Sequence, residues 1–256
     1  MQIVIIGSGN TATVLGKKFV ASGHRVVQIA GRNRTAAKTL ARELNAEAIF
    51  NMNRLNDDAD VYLIAVSDDA VSVIASHLML PGKVVAHTAA SVSKDVLKKV
   101  TNHYAVFYPL QSLRKEIKTL PVVPVFIEAA TAEANAVLTK LGESISPGKV
   151  LPITAPERMK LHLAAVIVNN FTNHLYQLAE AYCNKEHIAF KNLQPLIEET
   201  ALRLNFISPS DAQTGPAFRN DADTIRKHIA LLKSHPELRR VYSFLSESIR
   251  KQCLNT

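Results

Sequence analysis

The chain has 256 residues, enough for one large α/β domain or two modest ones. Hydrophobic residues make up 47% and charged residues 20%, which excludes a disordered, collagen-like or disulfide-scaffold protein. The net charge of +8 is spread over both halves, with no polybasic run interleaved with aromatics, so nucleic acid is not the expected partner. The two cysteines, Cys183 and Cys253, make neither a disulfide framework nor a zinc cluster, and the longest apolar run, 163–168, is too short to span a bilayer. A strand-like run begins at Gln2 in place of a secretory signal. The expectation is a cytoplasmic protein with no membrane partner.

From the N-terminus, β-branched apolar runs at 2–6, 25–30, 61–66, 83–87, 104–107 and 122–128 predict strands, and amphipathic stretches at 10–22, 34–44, 69–78 and 92–98 predict the helices between them. Strand, helix, strand at this spacing implies a doubly wound, mainly parallel sheet covered on both faces. Residues 131–142 predict one more helix, and 144–153 a closing hairpin or strand. After Pro152 and Pro156 the texture changes to long helical patterns, which places a boundary near 153. The expected organisation is an α/β, Rossmann-type domain over 1–153 and an all-α domain over 154–256. In the latter, 156–184 reads as one long helix with Pro156 tolerated in its first turn. Its middle, 161–171, is apolar on nearly every side, which predicts burial by its own domain and by a partner subunit. Further helices are predicted at 192–204, 222–234 and 236–253. A bundle this small predicts a homodimer through the helical domain.

The strongest motif is Gly7-Ser8-Gly9-Asn10-Thr11-Ala12, directly after the first strand and opening a helix. Gly7 permits the tight turn, Gly9 lets the backbone approach a diphosphate, and Ala12 takes the third small position where helix and strand pack. The phosphates then meet free N–H groups and the positive end of the helix dipole. At the end of the second strand, where an NAD site carries an Asp or Glu, the chain reads Gly31-Arg32-Asn33-Arg34-Thr35. Without the carboxylate, and with Arg32 and Arg34 to pair with a 2′-phosphate, the expected cofactor is NADP. Seven basic residues precede the first acidic one, Glu43, a field that favours a phosphorylated ligand. Asn33 or Thr35 is expected to cap the next helix and to reach the phosphate as well.

Later strand ends supply the rest, since open α/β sheets bind ligands at their carboxyl edge. Val66 and Ser67 are expected against the ribose or diphosphate, and His87, Thr88 and Ala89 beside the nicotinamide. The string Phe107 to Gln111 forms one wall of the substrate cleft. Thr214 and Gly215 are placed on an opposing wall, and Asp221 at a helix start. No pair of histidines has metal-ligand spacing, so no metal is expected.

These strings, with 160–174 and 213–219, resemble the Rossmann-like family whose C-terminal domain is catalogued as DUF2520. The N-terminal half is similar to the 6-phosphogluconate dehydrogenase-like superfamily, including pyrroline-5-carboxylate reductases and coenzyme F420-dependent NADP oxidoreductases. The resemblance implies an NADP-dependent oxidoreductase. Related β-hydroxyacid dehydrogenases carry a catalytic Lys three and four residues before a pair of Asn. Aligning that pair with Asn169 and Asn170 puts Val166 where the Lys belongs, so Lys160 or His162 stands in only if the helix register allows.

The expected activity is hydride transfer between NADP(H) and a small C=N or C=O substrate, with His87, Gln111, Lys160 and His162 as the candidates for the accompanying proton. The alternative is a non-catalytic NADP-binding sensor or scaffold, which would need the glycines and Arg32 but no aligned acid–base group.

Overall fold

Strands covered on both faces read as unbroken apolar runs instead of alternating ones, and the first half of the chain is built on this pattern. The computed structural model describes residues 1–119 and 121–253. The chain divides into two units, Met1–Val168 and Asn169–Thr256. In the first, the order is β1 (Gln2–Ile6), α1 (Asn10–Ala21), β2 (Arg25–Ala30), α2 (Arg34–Glu43), β3 (Glu47–Ile49), β4 (Val61–Ile64), α3 (Asp68–Ala75), β5 (Val84–His87), β6 (His103–Pro109), β7 (Val125–Ala129), α4 (Ala132–Ile145), β8 (Val150–Pro152) and α5 (Ala155–Ala165).

The eight strands form one sheet in the order β3-β2-β1-β4-β5-β6-β7-β8. Every pairing is parallel except β6 with β7. The order reverses at β1, so a crevice opens above its carboxyl end between β1 and β4, where such sheets bind ligands. Ile3, Ile5, Leu63 and Phe107 face a core shared with α1, α2 and α4. Val4, Ile6, Tyr62 and Ile64 face the opposite core with Ala75 of α3. This is the expected doubly wound sheet.

Three local expectations change. β3 carries only three residues, of which Ile49 alone is buried, too short a run to show a strand period. The stretch 92–98 makes only a 3₁₀ turn, Lys94–Leu97, capped by the Ser93 hydroxyl. Helix α4 runs on to Ile145, so the closing strand is confined to β8.

The start of α5 is fixed by a capping box: the Thr154 hydroxyl accepts from the Glu157 amide, and the Glu157 carboxylate accepts from the Thr154 amide. A π-helical turn, Val166–Phe171, follows, so the predicted long helix is not regular through its middle. Within the single chain its own domain does not cover that middle: Leu163, Ile167, Val168 and Phe171 are all exposed.

The second unit contains α6 (Thr172–Lys185), α7 (Gln194–Leu202), α8 (Ala222–Leu231) and α9 (Pro236–Cys253). Among its described residues only Cys183, Ala217 and Leu232 are buried. Among the described residues no helix is long and apolar enough to cross a membrane.

Candidate functional site

The turn between β1 and α1 is shaped by its glycines. Gly7 has φ +133°, and a Cβ there would lie 2.1 Å from the Ala65 carbonyl oxygen, so β4's neighbouring backbone excludes every other residue. Gly9 is different: a Cβ there would meet no protein atom within 4 Å. Its bareness is not demanded by packing and leaves open space at the start of α1. Gly9 is the N-cap, gives the helix no side-chain cap, and no acidic residue occupies the first turn. The first N–H groups of α1 are therefore available to an anion. Ala12 is fully buried, packing helix against sheet as its small size allows.

A cavity of about 400 Å³ sits on this turn, lined by Gly7 to Thr11, Gly31 to Asn33, and Ala65 to Ser67. Gly31 brings the end of β2 close to the turn: a Cβ there would lie 3.3 Å from Ala37 Cβ and 3.4 Å from Ser8 Oγ. Asn33 caps α2, its side chain accepting from the Ala36 amide at 3.0 Å. Arg32 lines the cavity, whereas Arg34 lies with its guanidinium carbon 5.0 Å above the Phe50 ring centroid. The Asp69 carboxyl is held below its ordinary range first by the Ser67 hydroxyl, and further by its own and Ala70's backbone amides and by the charge of Arg32. The set fits a dinucleotide: a bare helix terminus for the diphosphate, small residues along the crevice, and a guanidinium where a carboxylate would repel a 2′-phosphate.

At the next strand end, His87 is fully buried. Its Nδ1 accepts from the Ala89 amide at 3.2 Å, and its Nε2 lies 3.3 Å from the Ser93 carbonyl. Burial pushes its pKa down to about 4, so it is neutral near pH 7, with Nε2–H donating to Ser93. Thr88 donates its amide to the Ile64 carbonyl at 3.1 Å, and Ala89 is buried. Both nitrogens of His87 are thus spent on holding the loop 88–93.

Arg158 of α5 holds the same loop from the other side. It is 1% exposed. Its Nε donates to the Ala90 carbonyl at 2.8 Å, one terminal nitrogen to the Val92 carbonyl at 2.7 Å, and the other to the Glu128 carboxylate. Glu128 also accepts from Lys94 Nζ at 2.8 Å. The loop is closed by Ser91, whose hydroxyl donates to the Asp68 carboxylate.

The other expected site residues separate. Gln111 is exposed and serves its own loop, its amide donating to the Val122 carbonyl at 3.3 Å and its oxygen accepting from the Ser112 amide at 2.9 Å. Lys160 is exposed on α5, and its charge contributes to holding the Glu157 carboxyl below the usual range, after the Thr154 hydroxyl and amide. His162, two residues on, meets the Tyr108 hydroxyl at 3.2 Å. In the second unit, Gly215 has φ +108°, and Asp221 caps α8, accepting from the Thr224 amide at 3.0 Å. Asn169 and Asn170 are exposed.

The sequence pattern did not single out Arg158 or Glu128, and it placed Tyr108 only as part of the 107–111 cleft wall. Two signals were present. Glu128 is the only acid in its apolar strand, and a carboxylate there needs a cation. Arg158 and His162 stand four apart, on one face of a helix.

With this geometry in place, the likeness to known proteins is specific. Residues 2–91 match the family described as coenzyme F420-dependent NADP oxidoreductase, and residues 123–249 match the domain of unknown function DUF2520. A Bacteroides fragilis protein provisionally assigned as an NADP oxidoreductase, BF3122, is 36% identical, with 98% of each chain covered and a TM-score of 0.90. The Streptococcus pyogenes 1-pyrroline-5-carboxylate reductase shares the fold at 15% identity, over 98% of each chain, with a TM-score of 0.64. So does the Aspergillus terreus reductive aminase solved with NADPH and ethyl-5-oxohexanoate, at 15% identity over 98% of this chain and 92% of that one, with a TM-score of 0.72. No curated protein matches the chain. The chain belongs to the DUF2520 family of NADP oxidoreductase-type proteins.

Proposed function

We propose that the chain binds NADP(H) across the carboxyl edge of its sheet and transfers a hydride between it and a small C=N or C=O substrate. The observation that carries this reading is the pairing of an uncapped α1 terminus with Arg32, in a crevice where the end of β2 bears no carboxylate. Gly7 to Ala12 surround the diphosphate. Gly31 to Arg34 meet the adenosine 2′-phosphate, with Arg34 freed from Phe50 to do so. Val66 and Ser67 lie along the ribose, and Thr88 and Ala89 beside the nicotinamide. When bound, the cofactor supplies the hydride; the chain's residues orient the reacting carbon and exclude water.

In this reading His87 is a neutral clamp and not a proton carrier, because both its nitrogens are engaged by backbone. Lys160 and Gln111 are available only for substrate contact, and the proton passes through His162. Residues 1–153 form the cofactor domain and 154–256 the helical substrate and dimerisation domain.

The test is calorimetry on an Arg32→Ala/Arg34→Ala variant. Charge-assisted bonds of about 1.5–3 kcal/mol predict at least roughly tenfold weaker NADPH binding, with NADH binding unchanged. Unaltered NADPH affinity would remove the cofactor assignment.

We further infer that the second unit pairs with a second copy. Three buried side chains do not make a core. Phe171, Leu175, Val241, Phe244 and Leu245 line an apolar cavity of about 410 Å³ that is open to solvent in a single chain. Sedimentation should give a dimer, and a monomer that persists at high micromolar concentration counts against it.

A further inference from the structure

Tyr108 is a phenol at the ligand edge whose chemistry the nucleotide site leaves unused. The register locates it. Ile6 of β1 pairs with Ile64 of β4, Ile64 with His87 of β5, and His87 with Val106 of β6. Two residues beyond each partner lie Ser8, Val66, Ala89 and Tyr108, a row along the carboxyl edge running from the phosphate turn toward the substrate side. At strand spacings of about 4.8 Å, Tyr108 stands roughly 14 Å from the turn and one strand beyond Ala89. It packs in a small cluster with Ala90, the residue after the expected nicotinamide contact.

The hydroxyl is polarised. His162 Nδ1 is 3.2 Å away, the two rings meeting edge to face with centroids 6.3 Å apart. A phenol both donates and accepts, and one imidazole nitrogen satisfies only one of these roles. Burial raises the Tyr108 pKa, Arg158 opposes that, and Asp68 adds to it, so the phenol keeps its proton near neutral pH. The charged and titratable groups facing the pair come from four elements: Asp68 of α3, held by Ser91; Arg158 of α5, neutralised by Glu128 of β7; and His87 of β5, which is uncharged.

We propose that Tyr108 is a catalytic residue, the proton donor to the substrate heteroatom, and that His162 is the positioning residue that recharges it. This rests on the reductase reading above and names its proton path. As the hydride with its electron pair forms the new C–H bond, the π pair of the C=N or C=O group moves onto the heteroatom. The Tyr108 O–H bond breaks, its proton forming the N–H or O–H bond. The phenolate takes the proton on Nδ1 of His162, and the ring's Nε2 takes one from hydronium, so one solvent proton is consumed per turnover. With the hydrogen on Nδ1, His162 donates to the phenolic oxygen and the phenolic hydrogen is free to face the substrate. The substrate class is thus a neutral imine or a ketone, which needs a proton; an iminium ion would not.

The experiment uses the full chain with 2-methyl-1-pyrroline and cyclohexanone as probes, comparing wild type, Tyr108→Phe and His162→Gln. NADPH affinity, read by fluorescence titration, should stay within about twofold, while Tyr108→Phe lowers kcat about 100-fold or more. His162→Gln should lower kcat about tenfold while leaving the KM of both probes unchanged, a split that a merely structural role would not give. A readout independent of turnover is the Cζ resonance of carbon-13-labelled tyrosine in the NADP⁺-loaded protein. The Tyr108 signal should shift on adding 2-methylpyrrolidine or cyclohexanol, and the signals of the other tyrosines should not. Unaltered kcat in Tyr108→Phe, or an unmoved resonance beside active wild type, overturns the proposal and leaves the reductase reading standing. NADPH bound with neither probe reduced and no resonance moved overturns both.

Discussion

The two units bury their apolar side chains to very different degrees. In the first, a single sheet is covered on both faces by helices that follow their own strands in sequence, and enclosure extends even to the guanidinium of Arg158. In the second, four helices enclose three side chains among the described residues and leave Phe206 85% and Phe244 71% exposed. A sheet gathers coverage from both sides within one chain, whereas a few short helices have too much surface for their volume. The first unit is therefore built to hold a small ligand in a fixed crevice. The second leaves large apolar side chains open to solvent within one chain.

The contrast is sharpest in two ion pairs of the same chemistry. Arg158–Glu128 lies in the first unit with the arginine side chain 1% exposed, and Arg203–Glu199 lies in the second with side chains 32% and 52% exposed. Arg158→Ala leaves the Glu128 carboxylate to Lys94 alone and takes the guanidinium donors from two loop carbonyls, a loss of about 3 kcal/mol. Arg203→Ala should give no measurable shift, because solvent screens the pair and takes its place. Urea denaturation followed separately in each unit checks both. Equal losses would dissolve the distinction between the units.

The same contrast explains what the sequence could disclose. The Gly7–Ala12 turn, the Arg32–Arg34 loop and the strand runs were legible because each is a local pattern: a period, a bare turn, an absent carboxylate. The Arg158 contacts join residues 30 to 68 apart in sequence, and no local pattern records them. Tyr108 stood inside a string read as a cleft wall, and only the fold brings His162 to it, 54 residues on. His87 looked like a proton carrier from its place at a strand end. Its burial and its two backbone partners, which decide otherwise, are three-dimensional facts. The 92–98 stretch has a helical pattern, yet Arg158 and His87 hold the carbonyls of Val92 and Ser93 in a loop conformation.

A second, smaller effect separates the units by pH. His87 in the first unit has a pKa of about 4 against an ordinary 6.5. The unfolded chain therefore binds a proton between these values that the folded chain refuses. Stability from this group is fully present above pH 6.5 and is lost as pH falls toward 4, by about 3 kcal/mol at most. His87→Gln, which keeps an acceptor and a donor without the titration, should flatten the acid limb of the first unit's urea midpoint. An unchanged limb would mean that His87 is protonated in the native loop and that the clamp is drawn wrongly.

The smallest effect tests whether Asn33 belongs to the fold or to the ligand. Its side chain caps α2, and losing such a cap costs about 1 kcal/mol, so Asn33→Ala should lower the first unit's midpoint slightly. Asn33→Asp keeps a good cap but puts a carboxylate beside the cavity, two residues past Gly31, which stands where NAD sites carry one. If the crevice selects a 2′-phosphate by charge, Asn33→Asp should spare stability and weaken NADPH binding, while NADH binding holds or improves. If the two variants instead weaken NADPH equally, the contribution of Asn33 to binding comes only through the order it imposes on α2. The guanidinium groups of Arg32 and Arg34 then carry the selection.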